Sequence, residues 1–349
     1  LEKAYFLGFD APTLNQYLLF GVADILFIIS AVMYLSNAAL LYWKESKVSR
    51  KYHNTSLFLF GQLSSKLATN TKTMTIICVT LTFSICLFVI APVLTGWSLG
   101  YLDSRAVYDI QISSRYNDVY EVENLPDTDY GEITAFIEQN NIAIKDDLTF
   151  SEYLPQKSDF HQRVKYDFPP LAIALKDYNA VRKMLGYEPI ILQTDEFATH
   201  WHRAAEDKDI ENYIAEHTLL ETDAGTLKLS ENAVFQEPVG ESIYNLYTDV
   251  VYIIPDEIAQ VLLPVQSNRF VMTQYPLPFK TAEMLEQLLG RSYPEDPDKD
   301  NLAGYSTTVH TTEVNRIIAL NFILKASLIY GAIVLMAVSY THLRAHETL

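Results

Sequence analysis

The hydrophobic pattern splits the chain into long, nearly uncharged runs and a long mixed middle. Residues 73–102 carry no charge. A spanning helix needs about 20 apolar residues, so this run is long enough. Residues 17–43 carry one charge, Asp24, and residues 317–338 carry one, Lys325. Each pattern predicts a transmembrane helix, the last one cut short. Pro92 predicts a kink or local break in 73–102. The Gly96-x-x-x-Gly100 spacing suits a close helix approach or a simple helix exit. Trp43-Lys44, Trp97 and Tyr101 fit the membrane–water interface. Asp24 reads as a contact or gating residue, or as an acid near the surface that reaches water.

In the connector 44–72, Leu57, Phe60, Leu63 and Leu67 recur at helical spacing, with Ser64, Ser65 and Lys66 on a polar side. This predicts an amphipathic helix over 56–71, lying at the inner interface or packed on protein.

The middle changes period. Residues 105–113 alternate as a strand does. Residues 132–141 predict a short helix. Leu171–Leu175 predict a buried strand. A helix follows, capped by Asp177, running to Leu185 and closed by Gly186. Residues 225–235 predict a hairpin. A second strand-then-helix unit is predicted at 249–254 and 256–263, then a strand at 268–275 and a helix at 281–289 closed by Gly290. The similar units at 171–186 and 249–264 hint at a repeat. The expected fold class is therefore α-helical membrane segments plus an α+β extracytoplasmic domain.

Charge orients this layout. The connector 44–72 holds six basic residues and one acid, Glu45, whereas residues 103–315 hold 38 Asp+Glu against 16 Lys+Arg, a net of −22. Juxtamembrane Lys and Arg stay cytoplasmic. The expected organisation is an outer stub 1–16, a transmembrane helix 17–43, a cytoplasmic connector 44–72, a transmembrane helix 73–102, an extracytoplasmic domain 103–315 and a transmembrane helix 316–338. Both cysteines, Cys78 and Cys86, lie in the uncharged run. The outer domain thus has no disulfide, which suits a bacterium better than a eukaryotic secretory route. The chain opens on Leu1 without a Met or a basic lead-in, and reads as an internal piece.

Candidate chemistry is sparse. His200-x-His202 with His217 are the residues of a possible metal site, without an H-E-x-x-H pattern. Asp296, Asp298 and Asp300 alternate like the start of a calcium loop. The sixth position is Asn301 rather than Gly and the twelfth is Thr307 rather than Glu. They read as a solvated loop. There is no phosphate-binding loop of the G-x-x-x-x-G-K-[ST] type and no G-x-S-x-G elbow. The acidic outer charge disfavours nucleic acid. Catalytic, cofactor-binding and metal residues are therefore expected to be none. The ligand-binding residues are left unassigned, and the protein is expected not to be an enzyme.

Ser339-Tyr340-Thr341-His342-Leu343-Arg344-Ala345-His346-Glu347-Thr348 breaks the apolar pattern abruptly. The string resembles the conceptual translation of a sequencing adapter. Residues 339–349 are expected to be foreign to the protein, and His342 and His346 to ligate nothing.

The lead-in GQLSSKLATNTKTMTIICVTLTFSICL (61–87), the large outer domain and the returning helix together resemble FtsX-like ABC transporter permeases of the bacitracin-exporter type. LKDYNAVRKMLGYEPIIL (175–192) is similar to a segment of their outer domains. The resemblance implies a bacterial plasma-membrane permease with about ten spanning helices, three of them in this piece. It implies a separate cytoplasmic ATPase that binds the ATP, often a sensor histidine kinase, contact with membrane lipid, and an outer domain that engages peptide antibiotics or their lipid-linked complexes. A mechanotransmission scaffold for a cell-wall hydrolase, a lipoprotein-releasing permease and a membrane-tethered enzyme are the alternatives.

Overall fold

A computed structural model of the chain describes residues 11–45, 56–162, 164, 167–295 and 304–347. Two compact units are present: residues 98–318, and residues 1–97 together with 319–349.

The second unit is helical. Helix α1 covers Ala11–Glu45 and helix α2 covers Ser56–Arg105, running through Pro92 without interruption. Residues 56–71, expected as an interfacial helix, are the first part of α2. Helix α8, His310–Glu347, continues through the string 339–347 rather than ending before it. Leu343, Arg344, Ala345 and Glu347 are adequate helix formers, so this continuity is what their propensities dictate. Buried positions recur every seven residues, at Ile77, Ser84 and Ala91 on α2 and at Ala332 and Ser339 on α8. Ser84 Oγ donates to the Ala332 carbonyl at 2.8 Å, and Thr80 Oγ1 lies 2.5 Å from Ser339 Oγ. The two helices are thus antiparallel, with small side chains letting the backbones approach and hydroxyls bonding across the seam.

The expected fold class is corrected here. Among the described residues, two helices and not three are long and apolar enough to cross a membrane: Thr73–Val93 and His310–Thr341. Helix α1 supplies only a shorter apolar stretch, Ala23–Leu35. Asp24 is exposed on it. In place of three spanning helices beside an α+β domain, the described residues are half helix and carry one nine-stranded mixed sheet.

That sheet belongs to residues 98–318. Its strands are β1 Ile110–Arg115, β2 Ile144–Leu154, β3 Ala172–Ala174, β4 Glu196–Trp201, β5 Leu219–Thr222, β6 Gly225–Phe235, β7 Val250–Ile254, β8 Leu263–Thr273 and β9 Gly304–Val309. Their order is β5-β6-β4-β7-β3-β2-β8-β1-β9. Most pairs are antiparallel, but β3 pairs β7 and β4 pairs β6 in parallel. The parallel pair β3·β7 joins the two predicted strand-then-helix units side by side. All five residues of β7 are buried, as a strand covered on both faces requires.

Four further helices complete the unit: α3 Gly131–Gln139, α4 Leu175–Leu185, α5 Asp207–Glu216 and α7 Phe279–Ser292, with a single turn α6 at Asp256–Ala259. Helix α4 covers one face, packing Tyr178, Val181 and Met184 on Phe150, Ile173, Ile253 and Phe270. Helices α3 and α7 cover the other, packing Ile133, Ile137, Leu285 and Leu289 on Ile110, Ile112 and Val271. Gly186 closes α4 in the left-handed region at φ 84°, as predicted. The expected Asp177 cap is replaced: Asp256 of the neighbouring unit accepts from the Lys176 amide at 2.9 Å. The predicted hairpin 225–235 is one long strand, β6, and the true hairpin partner is β5. Helix α7 runs past Gly290, because Leu289 and Tyr293 both bury against the core.

Candidate functional site

A strap of irregular chain, residues 236–248, crosses the sheet face that α4 also covers. Val239 and Ile243 enter the core beneath it. Its carbonyls are held by side chains: Tyr108 Oη donates to Val239 O at 2.7 Å and Gln266 Nε2 to Ser242 O at 2.8 Å. Gly240 sits at φ 96°, and a Cβ there would lie 3.1 Å from the Tyr108 ring. Only glycine fits both the backbone and the space.

One end of the strap carries an ionic cluster. Arg182 of α4 is buried, and its guanidinium pairs with both oxygens of Glu237, at 3.1 and 2.9 Å. It also donates to Tyr178 Oη at 3.3 Å and to Glu188 O at 2.6 Å. Tyr178 Oη in turn lies 2.6 Å from His200 Nδ1. Burial alone would raise the Glu237 carboxyl, but the Arg182 hydrogen bonds and charge outweigh it and hold the group below its ordinary value. Burial pushes His200 down to about 4, against the opposing pull of Glu237. His200 is therefore a neutral core residue at neutral pH.

Under the middle of the strap lies a second polar cluster. Glu152 is fully buried and accepts from Gln266 Nε2 at 3.1 Å and Asn268 Nδ2 at 3.0 Å. Its burial raises the carboxyl well above the ordinary range, with Asn268 opposing. Gln111 Oε1, Ser113 Oγ, Ser242 Oγ and Asn268 Oδ1 are buried nearby without hydrogen-bond partners. A protonated Glu152 has a hydrogen to give and Asn268 Oδ1 lacks one, so a turned Asn268 amide satisfies both.

An acid with a raised folded value weakens the fold as pH climbs from its unfolded value, because the unfolded chain ionises first. Glu152→Gln, whose amide meets the same turned Asn268, is therefore expected to be more stable than the parent at pH 7. The gain should begin near pH 4.5 and grow by roughly 1.4 kcal/mol per pH unit until the folded group ionises. Urea midpoints of the two proteins from pH 4.5 to 8 check this; parallel curves would contradict it.

The opposite face holds a cleft of about 470 Å³. Its floor is one row of hydroxyls across three strands: Ser114 of β1, Ser267 of β8 and Ser151 of β2. Ser267 and Ser151 are register partners, and the Ser267 amide donates to Ser114 Oγ at 2.8 Å. Its walls include Val122, Leu125, Pro126 and Val265. Asp127 is the one charged residue lining it.

The three histidines singled out by sequence do not assemble. His200 is in the core. His202 lies 3.9 Å from Glu241. His217 stacks on Tyr213 at the end of α5, ring centroids 3.9 Å apart. Among the described residues no group of three His, Cys, Asp or Glu is arranged to hold a metal ion. Asp296, Asp298 and Asp300 lie outside the described residues. Sequence reading missed Arg182, Glu237 and Glu152. Nothing separates them from the many surface charges except their strand and helix partners, which are far away in the chain.

No family model matches this chain, and no curated protein does. Among solved structures it is similar to the crystal structure of a "putative lipoprotein" from Bacillus anthracis, at 12% identity and a TM-score of 0.27. The match covers 56% of this chain and 95% of that one. A TM-score that low carries no inference about fold or function. Two helices long and apolar enough for a bilayer are nonetheless a property of this chain, consistent with membrane association.

Proposed function

We propose that the chain is part of the membrane-spanning subunit of an ABC-type transporter of the FtsX-like, bacitracin-exporter kind. In this reading α2 and α8 cross the bacterial plasma membrane, and residues 103–315 stand outside as a recognition and coupling module. A separate cytoplasmic ATPase supplies the energy.

The supporting observation is where the long helices join the sheet. Helix α2 leads into β1 and β9 leads into α8, and these strands are neighbours with Ile110 opposite Val309. The His310 amide donates to Asp109 O at 3.0 Å, and His310 Nδ1 lies 2.5 Å from Ala106 O. Both helices thus leave the sheet at one hydrogen-bonded clamp. A displacement of either helix would be passed to two adjacent strands rather than lost in loops.

The acidic module would attract cationic peptides over about one Debye length, roughly 8 Å at physiological salt. The deciding experiment is retention of the ATPase. Tagged full-length protein, gently solubilised from its own cells, is expected to carry a cytoplasmic ABC ATPase through purification. Recovery with no ATPase would sink the assignment. Binding of a cationic peptide to the reconstituted protein is expected to weaken severalfold between 50 and 300 mM salt; salt-insensitive binding would remove the electrostatic part alone.

A further inference from the structure

The sheet carries an exposed aromatic tip at the same end from which α2 and α8 leave. Strand β8 ends at Thr273, whose amide and hydroxyl donate to the Asp109 carboxylate at 2.7 and 2.9 Å. The loop that follows, residues 274–278, reads Gln-Tyr-Pro-Leu-Pro, and Phe279 opens α7. Leu277 is buried, and its carbonyl accepts from Thr311 Oγ1 in the first turn of α8 at 3.0 Å. The residues around it face the other way. Tyr275 is 75% exposed and Phe279 is 54% exposed. Lys280, next in the chain, is exposed as well.

Pro276 and Pro278 restrict the backbone on both sides of Leu277, so the two rings are presented outward while Leu277 is anchored inward. Thr311 precedes Ile317, where the apolar run of α8 begins, by six residues, about 9 Å of helix. An aromatic pair beside a lysine at that height has the composition of a membrane-interface anchor: rings at the headgroup level, ammonium toward lipid phosphate. The other end of β8 provides a contrast. Val261, two residues before the strand, is 68% exposed, and eleven residues of strand place it about 33 Å from Thr273.

We infer that the tip Tyr275–Lys280 docks on the lipid surface, with the Phe279 ring at the acyl boundary and Lys280 on headgroup phosphate. The inference rests on the membrane reading above, and would make the bilayer itself a bearing surface for the sheet beside the clamp.

Full-length protein carrying Cys78→Ser and Cys86→Ser is reconstituted into nanodiscs of mixed zwitterionic and anionic phospholipid. Single cysteines are introduced as Tyr275→Cys, Phe279→Cys or Val261→Cys and labelled with an environment-sensitive fluorophore. Labels at 275 and 279 are expected to emit blue-shifted, to be quenched by doxyl groups on the lipid, and to be shielded from aqueous iodide. The label at 261 is expected to do the reverse. As a second measurement, Phe279→Asp, a change at an exposed site, should remove the hydrogen-exchange protection that reconstitution adds to residues 274–282. A protein that inserts but leaves both tip labels as open to iodide as the label at 261 overturns the docking and leaves the membrane reading intact. A protein that does not enter discs at all overturns both.

Discussion

Lowering the pH from about 6.5 to 4 is expected to cost the sheet about 3 kcal/mol through one side chain, His200. The imidazole is buried in the core between Tyr178 and Tyr244, with ring centroids 5.5 and 6.2 Å away. Its Nδ1 lies 2.6 Å from Tyr178 Oη, which already takes a hydrogen bond from Arg182. Burial is what depresses the group; the Glu237 carboxylate pulls the other way and offsets it only in part, with the Arg182 cation adding to the depression. The folded group therefore titrates near 4, against about 6.5 when unfolded. A base whose folded value is depressed contributes its full stability above pH 6.5. That contribution is lost as pH falls toward 4, because the unfolded chain takes the proton first. The many surface carboxylates act in the opposite sense over part of this range, since protonating them relieves repulsion in an acidic protein. The comparison with His200→Gln isolates the effect, because Gln can still hydrogen-bond to Tyr178 but cannot titrate. Denaturation would be followed at Trp201, the neighbour of His200 in β4, with Trp43 and Trp97 replaced by Phe. The parent should lose about 3 kcal/mol more than the variant between pH 7 and 4. Equal losses would show that His200 charges without penalty.

Replacing Arg269 by Met is expected to destabilise the sheet by about 3 kcal/mol, near the low end for a broken buried pair because Asp147 is partly open to water. Arg269 lies on β8 and is 6% exposed. Its guanidinium grips both oxygens of Asp147 on β2, at 3.1 and 2.8 Å. The remaining nitrogen donates to Tyr130 O at 3.0 Å and Thr134 Oγ1 at 2.9 Å, at the start of α3. One side chain thus ties two central strands to a covering helix. Met fills part of the volume but takes the donors from the Asp147 carboxylate and the Thr134 hydroxyl. Arg269→Lys should recover little, because a single ammonium cannot match a two-pronged carboxylate contact and reach α3 as well. Hydrogen exchange in α3 should rise before exchange elsewhere in the sheet. A Lys variant as stable as the parent would mean that charge alone, rather than the forked geometry, holds this junction.

Several features were legible locally. The uncharged run 73–102 declared itself by length and composition, and α2 contains it. The Gly186 stop of α4 was legible because a left-handed residue after an amphipathic run has few alternatives to glycine. The strand β7 and the C-terminal half of β8 were marked by runs of Val, Ile and aromatic residues. Other features depended on distant partners. The expected hairpin at 225–235 proved to be one strand because β4 and β5 pair along its two sides. Of the run 17–43, which was counted with its one charge, the described residues keep only the shorter apolar stretch Ala23–Leu35. The strands β2 and β4 escaped notice because their charged and histidine residues conceal an inward face that exists only once β8 and β7 lie alongside.

The sites follow the same division. Histidine spacing at 200 and 202 was visible, but it could not say that one ring enters the core while the other remains near Glu241. Arg182 and Glu237 are fifty-five residues apart, and Glu152 and Asn268 are 116 apart. No local rule picks such pairs from 43 acids and 26 bases.

The sequence by itself determined where two long apolar helices occur, that residues 103–315 carry a strong negative charge, and where several strands and helices begin. These depend on composition, period and the backbone limits of single residues, all of which act over a few positions. Only the tertiary structure decided that nine strands form one mixed sheet, that α2 and α8 meet it at adjacent strands, and which charged residues are buried. Those outcomes depend on which surfaces pack together and exclude water, and burial, not identity, sets what a Glu, His or Arg contributes.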